Sequence, residues 1–298
     1  MQKEIFLDLL AKYTHSDGWV DCSPLRDIKG NGSKIWYFAN KENQKAVIKQ
    51  YPEWVNEMDV SWIHSYMKEL TQKGFPLTEH IGEAIQFNQC FYAIYSFAEG
   101  TKYDSSNNLH FVDMARKLRD MHDLSLNIKI DGPRNWPIVS GFKYRGDNNF
   151  LMEAWEKASK LFQSSNSIVG PIHGDFRKEN IRFNQTGITK IFDFGNARND
   201  YLEADLATTL RNIGDLEEQR KFLLIYRDSS NSKIKIQPTV ICASAITLAI
   251  QENAYLLKES LKGNNKNLNK ILEKESSYLK FLLNSVNLQL SIYKNIFT

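Results

Sequence analysis

The chain has 298 residues, 42% of them apolar and 24% charged, with a formal net charge of +3, and this balance excludes a largely disordered or fibrous protein. The longest mainly apolar run, Val240 to Ile250, is too short to span a bilayer, and the N-terminus lacks the apolar core of a signal peptide. Three cysteines without metal-binding spacing, Cys22, Cys90 and Cys242, are typical of a reducing compartment, so we expect a cytoplasmic protein with no membrane partner.

The first hundred residues predict a small sheet with one helix. In chain order the predicted elements are a strand, turn and strand over 25–40, a strand over 46–48, a helix over 54–70, and strands over 81–87 and 91–97. Gly30, Gly32 and Ser33 lie at the first bend, and Lys49 follows the third strand. Two glycines let a backbone approach a phosphate closely, although Asn-Gly is also the commonest turn of an ordinary hairpin. Both interpretations of the bend remain open.

Most of the remaining chain has the apolar periodicity of helices. The predicted helices lie within 111–124, 149–162, 202–212, 215–228, 238–262 and 268–293. The chain therefore predicts a mixed fold, with its strands concentrated near the N-terminus and its helices in the longer C-terminal part.

The segment from His173 to Asp193 carries the clearest chemical signature. Asp175 stands five residues before Asn180 and eighteen before Asp193, and alternating apolar residues on both sides of 184–187 predict a hairpin. Because a hairpin brings its ends together, we expect Asn180 and Asp193 within reach of one ion. Amide and carboxylate oxygens suit Mg²⁺, and Asp175 suits a base that accepts a hydroxyl proton. This set of residues predicts phosphoryl transfer.

At these residues, and in the stretch Glu203-Ala204-Asp205-Leu206-Ala207 that follows, the chain resembles the aminoglycoside phosphotransferase and choline kinase branch of the protein-kinase-like fold. The resemblance is specific here and diffuse elsewhere. It implies an α+β, two-lobed fold. A small antiparallel-sheet N-lobe over residues 1–98 is expected to bind the nucleotide, and a mostly helical C-lobe over 99–298 to carry catalysis and bind the acceptor.

The resemblance also assigns roles to single residues. It makes Asp175 the catalytic base and implies that Asn180 and Asp193 hold Mg²⁺. The residues expected at ATP are Gly30, Gly32 and Ser33 at the bend, Lys49 at the α and β phosphates, Glu57 as the partner of Lys49, and Phe97 and Ala98 where the backbone meets adenine.

Three assignments remain open in the sequence. Glu57 and Asp59 both lie in the first turns of the predicted helix, and either suits the pairing with Lys49, although we favour Glu57. Asp205 either buttresses the catalytic loop or only suits the positive end of a helix dipole. Arg177 either stabilises the transferring phosphoryl group or pairs with a neighbouring carboxylate, and we count it among the catalytic residues.

These features predict an ATP- and Mg²⁺-dependent phosphotransferase that acts on a hydroxyl of a small molecule such as a sugar, amino alcohol, hydroxy amino acid or antibiotic. From residue 101 onward 28 Lys and Arg stand against 22 Asp and Glu, which favours a neutral or anionic acceptor over a polycation. Glu252 and Tyr255 are candidate acceptor contacts. Basic residues near the C-terminus alternate with Asn and Glu, which indicates a solvated helix face and no nucleic-acid partner.

Two other functions compete with this prediction. A protein Ser/Thr kinase fits the region of Arg177, but only eleven residues separate Asp193 from Asp205, too few for a long activation segment. A non-catalytic nucleotide-binding regulator is the other alternative, although no expected catalytic residue is missing. The oligomeric state and the identity of the acceptor have no signal in the sequence.

Overall fold

The computed structural model describes residues 2–21, 33–130, 139–163, 166–230, 234–261 and 266–297. Gly30 and Gly32 lie outside the described residues. The chain forms two compact units, the first within Met1–Asp104, Ile128–Asn135 and Glu179–Gly195, and the second within Ser105–Asn127, Trp136–Lys178 and Asn196–Thr298. The predicted lobe boundary after residue 98 stays a prediction.

The described residues contain nine strands and eight α-helices. The strands are β1 Val20–Asp21, β2 Lys34–Ala39, β3 Lys45–Gln50, β4 His80–Phe87, β5 Cys90–Ser96, β6 Val169–Ile172, β7 Ile181–Asn184, β8 Gly187–Ile191 and β9 Arg198–Tyr201. The helices are α1 Gln2–Thr14, α2 Glu57–Gln72, α3 Asn108–Ser125, α4 Asn149–Phe162, α5 Leu202–Arg211, α6 Leu216–Asp228, α7 Pro238–Ser260 and α8 Lys266–Phe297. The predicted α+β fold, with a small antiparallel sheet and a mostly helical remainder, is confirmed.

The first unit is built on a five-stranded antiparallel sheet in the order β1-β2-β3-β5-β4. Successive side chains of a strand point to opposite faces of a sheet. On one face Ala46 and Ile48 of β3 are buried in an apolar cluster with Phe6 and Leu10 of α1. Lys49 therefore lies on the opposite face, where its backbone pairs in register with Ala93 of β5.

Helix α2 begins with a capping box. The Asn56 side chain accepts a hydrogen bond from the backbone N–H of Asp59 at 2.9 Å, and the Asp59 carboxylate accepts one from the backbone N–H of Asn56 at 3.2 Å. Such an N-cap stabilises a helix by about 1 kcal/mol. The helix buries a stripe that includes Val60, Ile63 and Met67, which matches the predicted apolar period.

Strands β7 and β8 form the predicted hairpin, which belongs to the first unit. Its apolar residues Ile181, Phe183 and Ile191 are fully buried. At the turn, the Asn184 side chain accepts hydrogen bonds from the backbone N–H groups of Thr186 and Gly187, at 2.8 and 3.0 Å. The buried apolar residues and the satisfied turn fix the positions of both hairpin ends.

The second unit consists of α3 to α8 and one short antiparallel pair, β6 with β9. The helices lie within a few residues of their predicted positions. The β6–β9 pair was not predicted, because Val-Gly-Pro-Ile and Arg-Asn-Asp-Tyr lack the apolar alternation of a half-buried strand. Strand β6 leads directly into His173, and β9 leads directly into α5. The pairing of the two strands therefore fixes where both segments begin.

Helix α7 contains the most apolar run of the chain, Val240 to Ile250, within its predicted bounds. By length and composition its 23 residues suffice to cross a membrane, but 61% of its most apolar window is buried inside the protein. That burial is typical of a core helix, and α7 packs against α4, α5 and α8. Cytoplasmic location stays a prediction.

Candidate active site

Asn180 and Asp193 flank the β7–β8 hairpin at its open end. Ile181 pairs with Ile191 in register, and the backbone N–H of Phe192 donates to the carbonyl of Asn180 at 3.0 Å. Asn180 is buried. The hairpin therefore brings the two ends together, as the alternation of its sequence predicted.

Asp193 has a backbone conformation that few residue types adopt. Its φ angle is +67°, in the left-handed region, where aspartate, asparagine and glycine are the tolerated types. Non-glycine residues in this region cost free energy and concentrate at functional sites, where the surrounding structure holds them. Asp193 lies two residues after the end of β8 and directly before Phe194, which is buried.

The ammonium of Lys49 lies on the Asp193 carboxylate, with 2.5 Å between Nζ and Oδ1. Lys49 is buried, with 8% of its surface exposed. A Cβ at Gly195 would lie 2.5 Å from Lys49 Nζ, so a larger residue there would displace the ammonium from its present position. Lys49, Asn180 and Asp193 all belong to the first unit, which thus joins the end of β3 to the end of the hairpin.

The predicted ion pair between Glu57 and Lys49 is not formed. Glu57 is the first residue of α2 and is exposed, and Lys49 forms an ion pair with Asp193. Asp59, the alternative partner, contributes its carboxylate to the capping box of α2. Further along α2, burial, the nearby His80 and the Lys49 charge together lower the pKa of His64.

The donor atoms at the end of the hairpin fit a hard divalent ion. Asn180 and Asp193 offer amide and carboxylate oxygens, and Mg²⁺ in nucleotide sites takes one or two such protein ligands and completes its shell with water and phosphate oxygens. Within the described ranges, no group of three or more His, Cys, Asp and Glu side chains forms a competing metal centre.

The segment after β5 has the features expected of an adenine-binding strand end. The Phe97 ring packs against the Tyr37 ring with centroids 5.1 Å apart, and its backbone N–H donates to the carbonyl of Lys45 at 3.3 Å. Ala98 is buried, and its N–H and C=O have no hydrogen-bond partner among the residues that the structure describes. These backbone groups are therefore available to a ligand. Ser33, before β2, is half-buried.

The loop that carries Asp175 belongs to the second unit and is held by Asp205. One carboxylate oxygen of Asp205 accepts from the backbone N–H of His173 at 2.8 Å, and the other accepts from that of Gly174 at 2.7 Å. Gly174 has φ +77°, and a Cβ there would overlap the carbonyl oxygen of Asn196. Asp205 thus buttresses the loop, which is one of the two roles that its sequence position allowed.

Two buried side chains behind Asp205 extend this support. The His122 ring lies between Asp205, with 3.4 Å from Nε2 to Oδ2, and Tyr226, with 2.7 Å from Nδ1 to the hydroxyl. Burial raises the pKa of Asp205, but the hydrogen bond and charge of His122, together with His173, outweigh burial and hold the pKa below its ordinary value. The carboxylate is therefore ionised where it accepts the two loop N–H groups.

His173 and Arg177 both contact Asp175. The backbone N–H of Asp175 donates to His173 Nδ1 at 3.2 Å, so the buried imidazole helps to fix the loop. Arg177 Nε lies 3.1 Å from Asp175 Oδ1 in an ion pair that lacks hydrogen-bond alignment. This is the pairing with a neighbouring carboxylate that was one of the two interpretations of Arg177. The predicted convergence of Asp175 with Asn180 and Asp193 stays a prediction.

Glu203, in the first turn of α5, predicts a pH-dependent stability. Burial raises the pKa of this carboxyl from 4.5 to about 7, although Gln237 N–H and Ser167 Oγ both donate to its Oε1. Its Oε2 is buried and has no hydrogen-bond partner within the described part of the chain. Because the folded-state pKa is the higher one, the protein loses stability as pH rises from about 4.5 to about 7.

We therefore expect Glu203→Gln to stabilise the protein at pH 8 by up to about 3 kcal/mol, since a neutral amide avoids the buried charge. Melting temperatures at pH 5 and pH 8 measure the effect, which should shrink towards zero at pH 5. Glu153→Gln, at an exposed position of α4, serves as the control. A Glu203→Gln gain of equal size at both pH values would contradict the buried-charge explanation.

The sheet-bearing first unit with its lysine, amide and carboxylate, and the helical second unit with its buttressed aspartate, define a kinase-type phosphotransferase. The model of the phosphotransferase enzyme family known as APH matches residues 25–232, more than two thirds of the chain. The chain belongs to this family, and the match includes every residue predicted for nucleotide, metal and catalysis. The predicted family and the predicted enzyme class, a small-molecule kinase, are thereby confirmed.

Solved structures with similar folds cover nearly the whole chain. A microcompartment-associated aminopropanol kinase is 11% identical with a TM-score of 0.73, over 96% of this chain and 98% of that one. An amicoumacin kinase solved in complex with AMP-PNP, Ca²⁺ and Ami is 12% identical with a TM-score of 0.70, over 94% of this chain and 93% of that one. Choline kinase LicA from Streptococcus pneumoniae is 13% identical with a TM-score of 0.67, over 96% and 99%. At these identities the likeness shows the fold.

Proposed function

We propose that this protein is an ATP- and Mg²⁺-dependent O-phosphotransferase that moves the γ-phosphoryl group to a hydroxyl of a small molecule, with Asp175 as the base. The observation that carries the proposal is the contact of Lys49 with Asp193 at the end of the hairpin whose other end is Asn180. A buried cation and two oxygen ligands at one place are what a metal-bound triphosphate requires. The fold neighbour solved with AMP-PNP and Ca²⁺ supports nucleotide and divalent-ion use.

In the proposed reaction, the acceptor oxygen forms a bond to the γ-phosphorus while the bond from that phosphorus to the bridging oxygen breaks. The electron pair of the broken bond stays on ADP, and the hydroxyl proton passes to the Asp175 carboxylate. Lys49 neutralises charge on the α and β phosphates, and Ala98 offers its backbone groups to adenine. A magnesium ion held by Asn180 and Asp193 would neutralise charge on the phosphate oxygens.

Asp175 is held for this role by its neighbours. His173 accepts its backbone N–H, Asp205 holds the two residues before it, and Arg177 contacts its carboxylate. An adjacent guanidinium favours the ionised form of a carboxylate, which is the form that accepts a proton. We propose that Arg177 orients Asp175 and also faces the charge that develops on the phosphoryl group.

The acceptor side is proposed on α7, where Glu252 and Tyr255 stand one turn apart. Burial raises the pKa of Glu252 above its ordinary value. The charges of Arg211 and Arg177 act against this shift, and the charge of Glu275 adds to it. Charges of both signs therefore surround the Glu252 carboxyl. Arg211 pairs with Glu275. Mixed charge favours an acceptor that is neutral or carries charges of both signs, and a neutral acceptor also agrees with the positive net charge from residue 101 onward.

The structure disfavours the alternative that the protein is a protein Ser/Thr kinase. The residues between Asp193 and Asp205 include a short helical turn, strand β9 and the start of α5. This segment contains no long loop that could serve as an activation segment or peptide platform. The presence of Lys49, Asp175, Asn180 and Asp193 likewise disfavours a non-catalytic regulator.

A screen for acceptor-dependent ADP release tests the proposal. The panel contains sugars, amino alcohols, hydroxy amino acids and hydroxylated antibiotics, each with Mg²⁺ and ATP, and the product is identified by phosphorus NMR. We expect at least one compound to raise ADP release above the rate with water and to yield a phosphomonoester. Label transfer from ATP to a Ser/Thr protein, with no small-molecule product from the panel, would contradict the proposal.

A further inference from the structure

A chain of aromatic side chains leads from Lys49 to α2 in the first unit. Tyr51 follows Lys49 by two residues in the sequence, and Lys49 Nζ lies 5.2 Å from the centroid of its ring. The Tyr51 and Tyr95 hydroxyls are 2.5 Å apart, and the Tyr95 hydroxyl is 2.9 Å from Nε2 of His64. Each member is thus within contact of the next, from the ammonium to the helix.

The sheet explains why these groups share one face. Lys49 in β3 and Tyr51 just after it are two residues apart and therefore point to the same side of the sheet. Tyr95 of β5 pairs with Val47, two positions from the Lys49–Ala93 pair, so it lies on that side too. The apolar cluster with α1 occupies the other face of the sheet. His64 lies on the buried stripe of α2, one turn after Val60, and so reaches this face from the helix.

Burial keeps the side chains of His64 and Tyr95 uncharged. Tyr51 is 1% exposed and His64 is 9% exposed. Burial, with the nearby His80 and the Lys49 charge, lowers the pKa of His64 to about 3, so its ring is neutral at pH 7. Burial raises the pKa of Tyr95 well above 10, so its phenol keeps its proton and its hydrogen bonds. The His80 ring stacks on His64 with centroids 3.8 Å apart, which limits rotation of the imidazole.

We propose that His64 is a positioning residue for Lys49. Through its hydrogen bond to Tyr95, and from there to Tyr51, it holds the ring against which the Lys49 ammonium lies. We call the three side chains between the Lys49 ammonium and α2, namely Tyr51, Tyr95 and His64, the relay. The inference rests on the proposed function, in which Lys49 binds the α and β phosphates.

Two substitutions break the relay in different ways. Tyr95→Phe removes one hydroxyl and keeps the ring. His64→Leu removes the imidazole on α2 and leaves the Tyr95 hydroxyl without that hydrogen bond. An unmade buried hydrogen bond costs enough to weaken binding about tenfold. We expect each variant to raise the KM for ATP about tenfold, with a smaller loss in kcat. His64→Gln, whose amide can reach the place of Nε2, should remain within about threefold of the parent protein.

Binding measurements separate positioning from general damage to the fold. The affinities for ATP and ADP should fall in Tyr95→Phe and His64→Leu, while the affinity for adenosine, which lacks phosphates, should not change. Tyr13→Phe, on α1 outside the relay, is the matched tyrosine control and should behave as the parent. Melting temperatures identify any variant that fails to fold, and Tyr95→Phe then carries the test because it changes only one atom.

The outcomes distinguish this inference from the proposed function. If the parent protein binds ATP with Mg²⁺ but His64→Leu and Tyr95→Phe bind ATP as tightly as the parent, the positioning role is refuted. Equal losses for ATP and adenosine would also refute it, because they indicate a merely structural role. If the parent protein itself does not bind ATP, the proposed function fails, and the role of the relay fails with it.

Discussion

We expect Asp175→Ala to lower kcat by about 10² or more while the affinity for ATP with Mg²⁺ changes by less than about threefold. The variant removes the group that accepts the acceptor's proton, but it leaves Lys49, Asn180 and Asp193 in place. Its loss should therefore appear in the chemical step and not in nucleotide binding. Acceptor-dependent ADP release at saturating ATP, combined with calorimetric titration of ATP, measures the two quantities separately.

Asp175→Asn sharpens this test, because the amide keeps the shape and a hydrogen-bonding oxygen but cannot take up a proton. It should lose nearly as much turnover as the alanine variant. Asp147→Ala, at an exposed position of the second unit, is the matched control and should keep the parent rate. Turnover of Asp175→Asn within a few-fold of the parent would show that Asp175 is not the base.

Replacement of Asp193 should remove the part of ATP binding that depends on magnesium. The residue supplies the only carboxylate of the proposed metal site, so without it the ion is left with an amide and its phosphate ligands. In the parent protein, ATP at a hundredfold excess over its Kd should stabilise the fold by about 2.7 kcal/mol in the presence of Mg²⁺. This stabilisation should disappear in the variant and, in the parent, when EDTA replaces the metal.

Asp193→Asn is the cleaner substitution, because asparagine also tolerates the φ of +67° at this position, whereas alanine would add backbone strain. The asparagine variant therefore tests the charge alone. Asp8→Asn, exposed on α1, is the control. Thermal shifts by ATP that are equal with and without Mg²⁺ in the parent protein would contradict the metal assignment.

Much of this fold could be predicted where local patterns decide it. The β7–β8 hairpin follows from alternation around a turn, and helices such as α4 follow from an apolar period of 3.6. The β6–β9 pair could not be predicted, because glycine, proline and polar residues interrupt its alternation and its pairing is set by distant parts of the chain.

The site was only partly predictable for a similar reason. The position of Lys49 after a predicted strand indicated that it binds phosphate. The sequence did not show that Glu57, the first residue of α2, is exposed. His64 had one usable signal, since it is a polar residue on an apolar stripe, one turn after Val60. The contact of Tyr51 with Tyr95 depends on the register of β3 and β5, which no local pattern records.

The acceptor side has the weakest sequence signal. The family match ends at residue 232, whereas α7 and α8 extend from Pro238 to Phe297 beyond it. Residues that recognise an acceptor differ with the acceptor, so a general pattern for nucleotide and metal does not extend to Glu252 and Tyr255. The acceptor class therefore has to come from the chemistry of this helix pair and from the screen.

A crystal structure with AMP-PNP and Mn²⁺ in place of Mg²⁺, located by its anomalous scattering, tests the account most directly. We predict a metal ion bound by the Asn180 amide oxygen and the Asp193 carboxylate, with Lys49 Nζ moved from Asp193 to a phosphate oxygen. A metal ion held by other side chains, or a triphosphate bound away from Lys49, would contradict the account.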